Sequence, residues 1–319
     1  MKKSACLFLA LITLFSACNS TVQDVEIGPY TVSVIEKNVY HIQDYNTSNP
    51  AGEAFDAEGN KTHFNNCSDM YLIVGKEKAL LIDLSNNIRW ADNAAESLRR
   101  LVSERTEGKE LTITFTHNHG DHTGMIQAYA DDPDVTFALP ETDFAFLARR
   151  FPEAQYYFIN EGFVFDLGGF EIETIEVPGH TDGSVVFNMN RDILFSGDAI
   201  GSGHGVWIFN EAAYIKYAAA VPHLIEWLEN PENGVNIEKL RIYGGHYWQR
   251  DWLPELGDEE MGIDYIRDMQ ALLDHIKAGT AATEPSNLGR EGLDTYFING
   301  SAIVVWSAEQ AAQYAESFR

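Results

Sequence analysis

Thr116-His117-Asn118-His119-Gly120-Asp121-His122-Thr123-Gly124 follows directly on Leu111 to Phe115, a short apolar run that reads as a buried strand. Three imidazoles and a carboxylate crowd into this stretch. Both groups are ligands that suit Zn²⁺, Fe or Mn²⁺. One ion would leave a donor redundant, so the cluster suggests two ions side by side. In an extended His-x-His both rings point to the same side, because side chains alternate along the backbone. Gly120 would permit a tight turn, after which Asp121 and His122 face a second position.

Further donors recur down the chain. Pro178-Gly179-His180-Thr181 follows a strand pattern from Phe170 to Val177, and Ser196-Gly197-Asp198-Ala199 follows another from Asp192 to Phe195. Gly244-Gly245-His246 closes a third, from Leu240 to Tyr243. Each donor sits next to glycine just past a strand's end, where a scaffold presents side chains to a cleft. Singly, His180 reads as a turn residue, Asp198 as a cap and His246 as a histidine packed beside two tyrosines. As an ordered set behind His117 to His122, they read as metal ligands.

That order, His-x-His-x-Asp-His, then His, Asp and His, resembles the metallo-β-lactamase-fold hydrolases, whose five metal-binding motifs can all be matched. The resemblance runs from about Tyr30 to His246 and more loosely to the C-terminus. It implies an α/β protein of two facing mixed sheets covered by helices, a four-layer αββα sandwich; pattern alone gives only α/β. It also implies that His117, His119 and His180 hold one ion, that Asp121, His122 and His246 hold the other, and that Asp198 bridges them. Two divalent ions, Zn²⁺ first with Fe or Mn as alternatives, would then generate a bridging hydroxide and polarise the bond under attack. Asp121 would accept a hydrogen bond from the nucleophile and pass its proton to the leaving group. Where the family usually has Asp-Thr-Gly, this chain has Asp83-Leu84-Ser85. Asp83 either orients a ligand histidine or caps the turn after its strand.

Zinc β-lactamases generally lack a bridging Asp. Asp198 in Ser-Gly-Asp therefore looks more like the glyoxalase II, lactonase and arylsulfatase-like members, although the basic cluster that glyoxalase II carries after its core has no evident counterpart here. The expected reaction is hydrolysis of an ester, thioester or lactone of a small molecule. Phosphoester, sulfate ester or β-lactam cleavage is the alternative, and from other classes a non-catalytic metal-binding lipoprotein or a di-iron redox protein. His204, in a Gly-rich loop after Asp198, is a candidate substrate or proton-donor residue, and Trp207, Tyr243, Tyr247 and Trp248 are candidate pocket walls.

Lys2-Lys3, the apolar Ala5 to Phe15 and then Ser16-Ala17-Cys18 form a secretory signal too short to span a membrane. Leu14 to Cys18 resembles a lipobox, so residues 1–17 read as a lipoprotein signal peptide, Cys18 as the lipidation site and 18–29 as a tether. The remainder, 30–319, reads as one hydrolase domain anchored in a bacterial cell envelope. Cys67 would then be the sole mature thiol besides Cys18, and reads as a small buried hydrophobe. A net charge of −26 over 319 residues disfavours nucleic acid as a partner.

The remaining pattern predicts strands at 30–40, 70–74, 79–84, 135–139, 162–166, 170–177, 184–189, 193–196, 237–243 and 301–306. Helices are predicted at 90–103, 123–130, 141–151, 211–229 (kinked or split at Pro222), 257–277 and 308–318. Residues 46–68 lack any apolar period and read as a loop near the cleft. His63 in that loop reads as solvated, and His41, His223 and His275 as structural.

Overall fold

In the computed structural model, the described residues are 25–44, 67–151, 155–202, 205–246, 261–286 and 288–319. The first sheet takes its eight strands in chain order: β1 (Val25–Ile27), β2 (Tyr30–Glu36), β3 (Val39–Asp44), β4 (Asp69–Val74), β5 (Lys78–Ile82), β6 (Glu110–Thr114), β7 (Val135–Pro140) and β8 (Tyr156–Ile159). Strands β5 to β8 run parallel, and α1 (Ala94–Thr106) makes the crossover from β5 to β6. The chain then forms β9 (Val164–Asp166), β10 (Glu171–Glu176), β11 (Val185–Met189), β12 (Ile193–Gly197), β13 (Val206–Trp207) and β14 (Arg241–Gly244). The second sheet has the order β14-β12-β11-β10-β9, with β12 and β14 parallel. Strands β15 (Ala282–Pro285), β16 (Thr295–Asn299) and β17 (Ala302–Trp306) complete a third sheet, ordered β13-β17-β16-β15.

Alternation along the strands sets the layers, because successive side chains face opposite sides of a sheet. On β4 and β5, Met70, Leu72, Ala79 and Leu81 pack outward with Leu98 and Leu101 of α1. Tyr71, Ile73, Leu80 and Ile82 pack inward against Phe187, Ile193 and Phe195 of the second sheet. Leu194 and Val186 face away from that interior, toward α4 (Glu211–Glu229) and α5 (Ile263–Ala278). Helix, sheet, sheet, helix is the expected αββα order. The central strands β4 to β7, β11, β12 and β17 are buried on both faces, which explains runs such as Met70-Tyr71-Leu72-Ile73-Val74.

Several boundaries differ from the sequence pattern. The run 30–40 breaks at Lys37-Asn38, where Asn38 takes φ 68°, a left-handed conformation that Asn tolerates better than most residues. The helix expected at 123–130 does not form. Gly124 N–H and Met125 N–H donate instead to the carbonyls of Ser85 and Leu84, leaving a single turn α2 (Gly120–Thr123) and a 3₁₀ turn at Ile126–Ala128. The helix expected at 141–151 shortens to α3 (Glu141–Phe144) and a 3₁₀ turn at Ala148–Arg150. Pro222 does not split α4, because a face of Tyr214, Tyr217, Val221, Leu224 and Leu228 buries enough apolar surface to offset its cost of about 3 kcal/mol. A strand at 237–243 starts only at Arg241, after a 3₁₀ turn at Ile237–Lys239. The β15–β16 hairpin was not expected. The last helix, α6 (Ala308–Glu316), lies where the pattern put it.

Candidate metal centre

The cleft forms where the carboxyl ends of parallel β5, β6, β12 and β14 meet. Direct bonds tie the two sheets together there. Asp69 N–H donates to Gly245 O at 2.8 Å and Val185 N–H to Thr116 O at 2.9 Å, while Gly245 N–H donates to Gly197 O at 2.8 Å within the second sheet. Tyr71 Oη donates to Gly244 O at 2.6 Å from the interior between the sheets. Four loops from distant parts of the chain are thereby held at fixed separations.

All seven sequence-derived donors converge, in two sets. His117, His119, His180 and Asp198 form one, and Asp121, His122 and His246 the other, with the ligand atoms of each set within 4.8 Å of one another. Asp198 lies between them. Its Oδ2 is 3.4 Å from His180 Nε2, 3.9 Å from His117 Nε2 and 3.4 Å from His246 Nε2, while Oδ1 is 3.4 Å from His122 Nε2. Ser202 Oγ donates to Oδ1 at 2.9 Å and steadies the carboxylate. Asp121 Oδ2 stands 3.5 Å from His246 Nε2. Asp121 and His122 sit on the helical turn α2, not on the tight glycine turn expected at Gly120, where a Cβ would meet open space. The close approaches fall instead at Gly124, where a Cβ would lie 2.1 Å from Asn87 N, and at Gly245, where it would lie 2.3 Å from Asp198 Oδ1.

The outer hydrogen bonds select one tautomer. Thr116 Oγ1 gives its only proton to Asp83 Oδ2 at 2.8 Å, so His117 Nδ1–H must donate to Oγ1 at 3.0 Å. His122 Nδ1–H donates to Asp83 Oδ2 at 3.0 Å, His180 Nδ1–H to Trp207 O at 3.1 Å, and His246 Nδ1–H to Cys67 O at 2.5 Å. In each neutral ring Nε2 is then left as a lone pair aimed inward. His117 Nε2 is buried and has no hydrogen-bond partner, a loss of about 1–3 kcal/mol unless something fills the space. His119 presents Nδ1, only 2.9 Å from His180 Nε2. Imidazole lone pairs converging on shared carboxylate oxygens fit a pair of divalent cations.

Electrostatics separate the two sets. Burial holds His117 and His119 below the usual histidine range and pushes His180 down to about 4. Burial also opposes charge on His122 and His246, yet Asp198, with Asp83 beside one and Asp121 beside the other, raises both well above it. Burial would raise Asp121 and Asp198, but His246 and His122 hold both carboxyls well below the usual range.

Asp83 therefore orients His122, and it also accepts Thr116 N–H at 2.7 Å. It does so from φ 64°, which argues against a simple strand-end cap. Trp207 lines a cleft of about 380 Å³ together with Phe209, Ser202 and the metal-facing side chains. Tyr243, expected as a wall, instead packs between the sheets with its ring centroid 6.0 Å from Tyr71 and 6.1 Å from Phe195. Inward alternation on β14 turns it away from the cleft. His204, Tyr247, Trp248, His63 and Cys18 lie outside the described residues. Cys67 is buried, and its carbonyl serves His246.

Two carboxylates were missed. Asp143 accepts Asn118 N–H at 3.0 Å, Thr181 Oγ1–H at 2.7 Å and Gly183 N–H at 2.7 Å, joining the loop of His117 and His119 to that of His180. Buried Asp44 accepts Ser68 N–H at 3.0 Å, Ser85 Oγ–H at 2.7 Å and Asn86 N–H at 2.8 Å, fixing the segments behind Cys67 and Asp83. An Asp at a strand's end, as Asp44 is, or in a short helix, as Asp143 is, is too common a signal to have marked either.

This fold and donor arrangement define a class, and the chain belongs to it. The description "Metallo-beta-lactamase superfamily" matches residues 68–261. It is 28% identical over 140 residues to an atrochrysone carboxyl ACP thioesterase of Claviceps purpurea (strain 20.1), covering 43% of this chain and 41% of the relative. It is 30% identical over 123 residues to a hydroxyacylglutathione hydrolase of Rhizobium meliloti (strain 1021), covering 38% and 46%. The chain spans about half the length of the curated relatives it matches. Among solved structures, a metallo-beta-lactamase from Pontibacter korlensis superposes with a TM-score of 0.54 at 19% identity, covering 77% of this chain and 99% of that one, a likeness of fold.

Proposed function

We propose that the protein is a metal-dependent hydrolase of small-molecule thioesters, carboxylic esters or lactones. His117, His119, His180 and Asp198 would hold one divalent ion, and Asp121, His122, His246 and Asp198 a second. The observation that carries this reading is that outer hydrogen bonds take up Nδ1–H of four histidines and turn Nε2 of each inward, with Asp198 shared between the sets. The thioesterase and acylglutathione hydrolase among the relatives favour a thioester first. Bound divalent cations supply Lewis acidity and a more acidic water at neutral pH. The Asp121 carboxylate faces the cleft and stays ionised, so it orients an attacking water and carries its proton toward the leaving group. Asp198, fixed by Ser202, keeps the two sets in register. Trp207 and Phe209 wall one side against bulk water.

The test is turnover by zinc-reconstituted protein on thioesters, aryl esters and lactones, with Asp198→Ala alongside. The variant is expected to lose at least one metal equivalent and most turnover. Two bound ions with no cleavage of these, or of phosphodiesters, sulfate esters or β-lactams, would overturn the reading in favour of a metal-binding protein.

A further inference from the structure

We propose that Arg290 is the substrate-specificity residue of this cleft, binding a carboxylate that the acyl substrate carries away from the bond to be cleaved. This rests on the hydrolase reading and narrows it to carboxylate-bearing substrates.

Arg290 lies in the loop between β15 and β16, outside every metal-binding motif, and yet it lines the cleft with Asp121, Asp198 and the ligand histidines. Two aromatic residues hold it there. Its guanidinium carbon sits 5.3 Å from the Trp207 ring centroid and 5.4 Å from that of Phe209. Phe209 in turn stands 5.9 Å from the His119 ring and 5.8 Å from the His180 ring. The cation is therefore set one aromatic ring away from the donor cluster, a fitting place for the far end of a short acyl chain. Its side chain makes no hydrogen bond or ion pair to the described residues, although the chain is strongly acidic and carboxylates are plentiful. A cation–π contact uses the charge of the guanidinium and takes up none of its N–H donors in a hydrogen bond, which leaves them for a planar, bidentate partner.

Among the described residues that line the cleft, Arg290 is the one Lys or Arg. The net charge of −26 repels anions at long range, but salt screens that field beyond about 8 Å. Inside the cleft the nearby cation decides. A short aliphatic acyl chain ending in a carboxylate would run past Phe209 with its head group on Arg290.

The test compares 4-nitrophenyl valerate with mono(4-nitrophenyl) glutarate, similar in reach but differing in the terminal carboxylate. Wild-type protein is expected to favour the glutarate in kcat/KM by about 10-fold, the scale of one charge-assisted contact. Arg290→Gln should collapse the preference through KM, and Arg290→Lys should restore part of it. Calorimetry with monomethyl glutarate on metal-depleted protein reads the same contact without turnover, and binding should weaken in Arg290→Gln and with added salt. No preference in the wild type, or an equal loss on both esters in Arg290→Gln, would overturn the proposal and leave Arg290 as a prop for Trp207. Arg290-dependent glutarate binding without any ester turnover would uphold the anion site while refuting the hydrolase reading.

Discussion

Asp83→Asn keeps the shape of a buried side chain and changes only what it can accept. In the native arrangement Oδ1 takes Thr116 N–H, and Oδ2 takes both Thr116 Oγ1–H and His122 Nδ1–H. An amide offers one acceptor where the carboxylate offered two. With its oxygen toward Thr116 N–H, its NH₂ faces His122 Nδ1–H, and the ring must lose that bond or move its proton to Nε2. A proton on Nε2 blocks a ligand position of the second set, and loss of such an outer partner weakens metal binding about 10–100-fold, or about 1.4–2.7 kcal/mol. The hydroxyl of Thr116 is then free to reverse and donate to His117 Nδ1, disturbing the first set as well. With the amide turned the other way, His122 keeps its acceptor but the buried Thr116 N–H loses its own, at about 1–3 kcal/mol of stability. Chelator competition followed by calorimetry, with thermal unfolding in parallel, reads both outcomes. Wild-type affinity for two ions together with a wild-type Tm would refute the tautomer argument.

Gly245→Ala should fold yet displace Asp198 or His122, because its Cβ would lie 2.3 Å from the one and 2.8 Å from the other. Far-UV circular dichroism should be preserved while bound metal falls by one equivalent or more. On acidification the ion held by Asp121, His122 and His246 should leave first. Those two imidazoles have raised pKa values and take up protons early, whereas His117, His119 and His180 are held low and stay neutral to more acid pH. Metal content after dialysis across pH 7 to 4 should fall in two steps, and a single step would contradict the separation of the sets. Lipid attachment at Cys18 is a proposal from the signal pattern alone. Cys18→Ser should move the protein from the membrane fraction to the soluble one, and unchanged partitioning would sink it.

What could be read from the chain followed from how local each signal is. The donors are short motifs after strong apolar strands, so His117, His119, Asp121, His122, His180, Asp198 and His246 were legible before any fold was known. The order of the layers came from the family resemblance, because apolar patterning by itself marks strands and helices but gives only α/β. Carbonyl partners were invisible: Trp207 O and Cys67 O would accept a histidine proton whatever their side chains were. Asp143 looked like an ordinary helix residue, and only the fold brings it to Asn118 and Gly183. Tyr243 was misplaced because its neighbour Gly244 begins the ligand turn, while strand alternation sends the ring inward. Strand β15 left no trace, being an exposed edge without apolar residues beyond Ala282 and Pro285. Arg290 is remote in sequence from every motif, and only its packing on Trp207 and Phe209 brings it to the cleft.

The most direct test of two cation positions sharing Asp198 is anomalous diffraction at the zinc edge from crystals of the reconstituted protein. Two peaks are expected, one among His117, His119 and His180 and one among Asp121, His122 and His246, with Asp198 between them. Absence of any anomalous peak near these side chains, in protein offered excess zinc at neutral pH, would contradict the account.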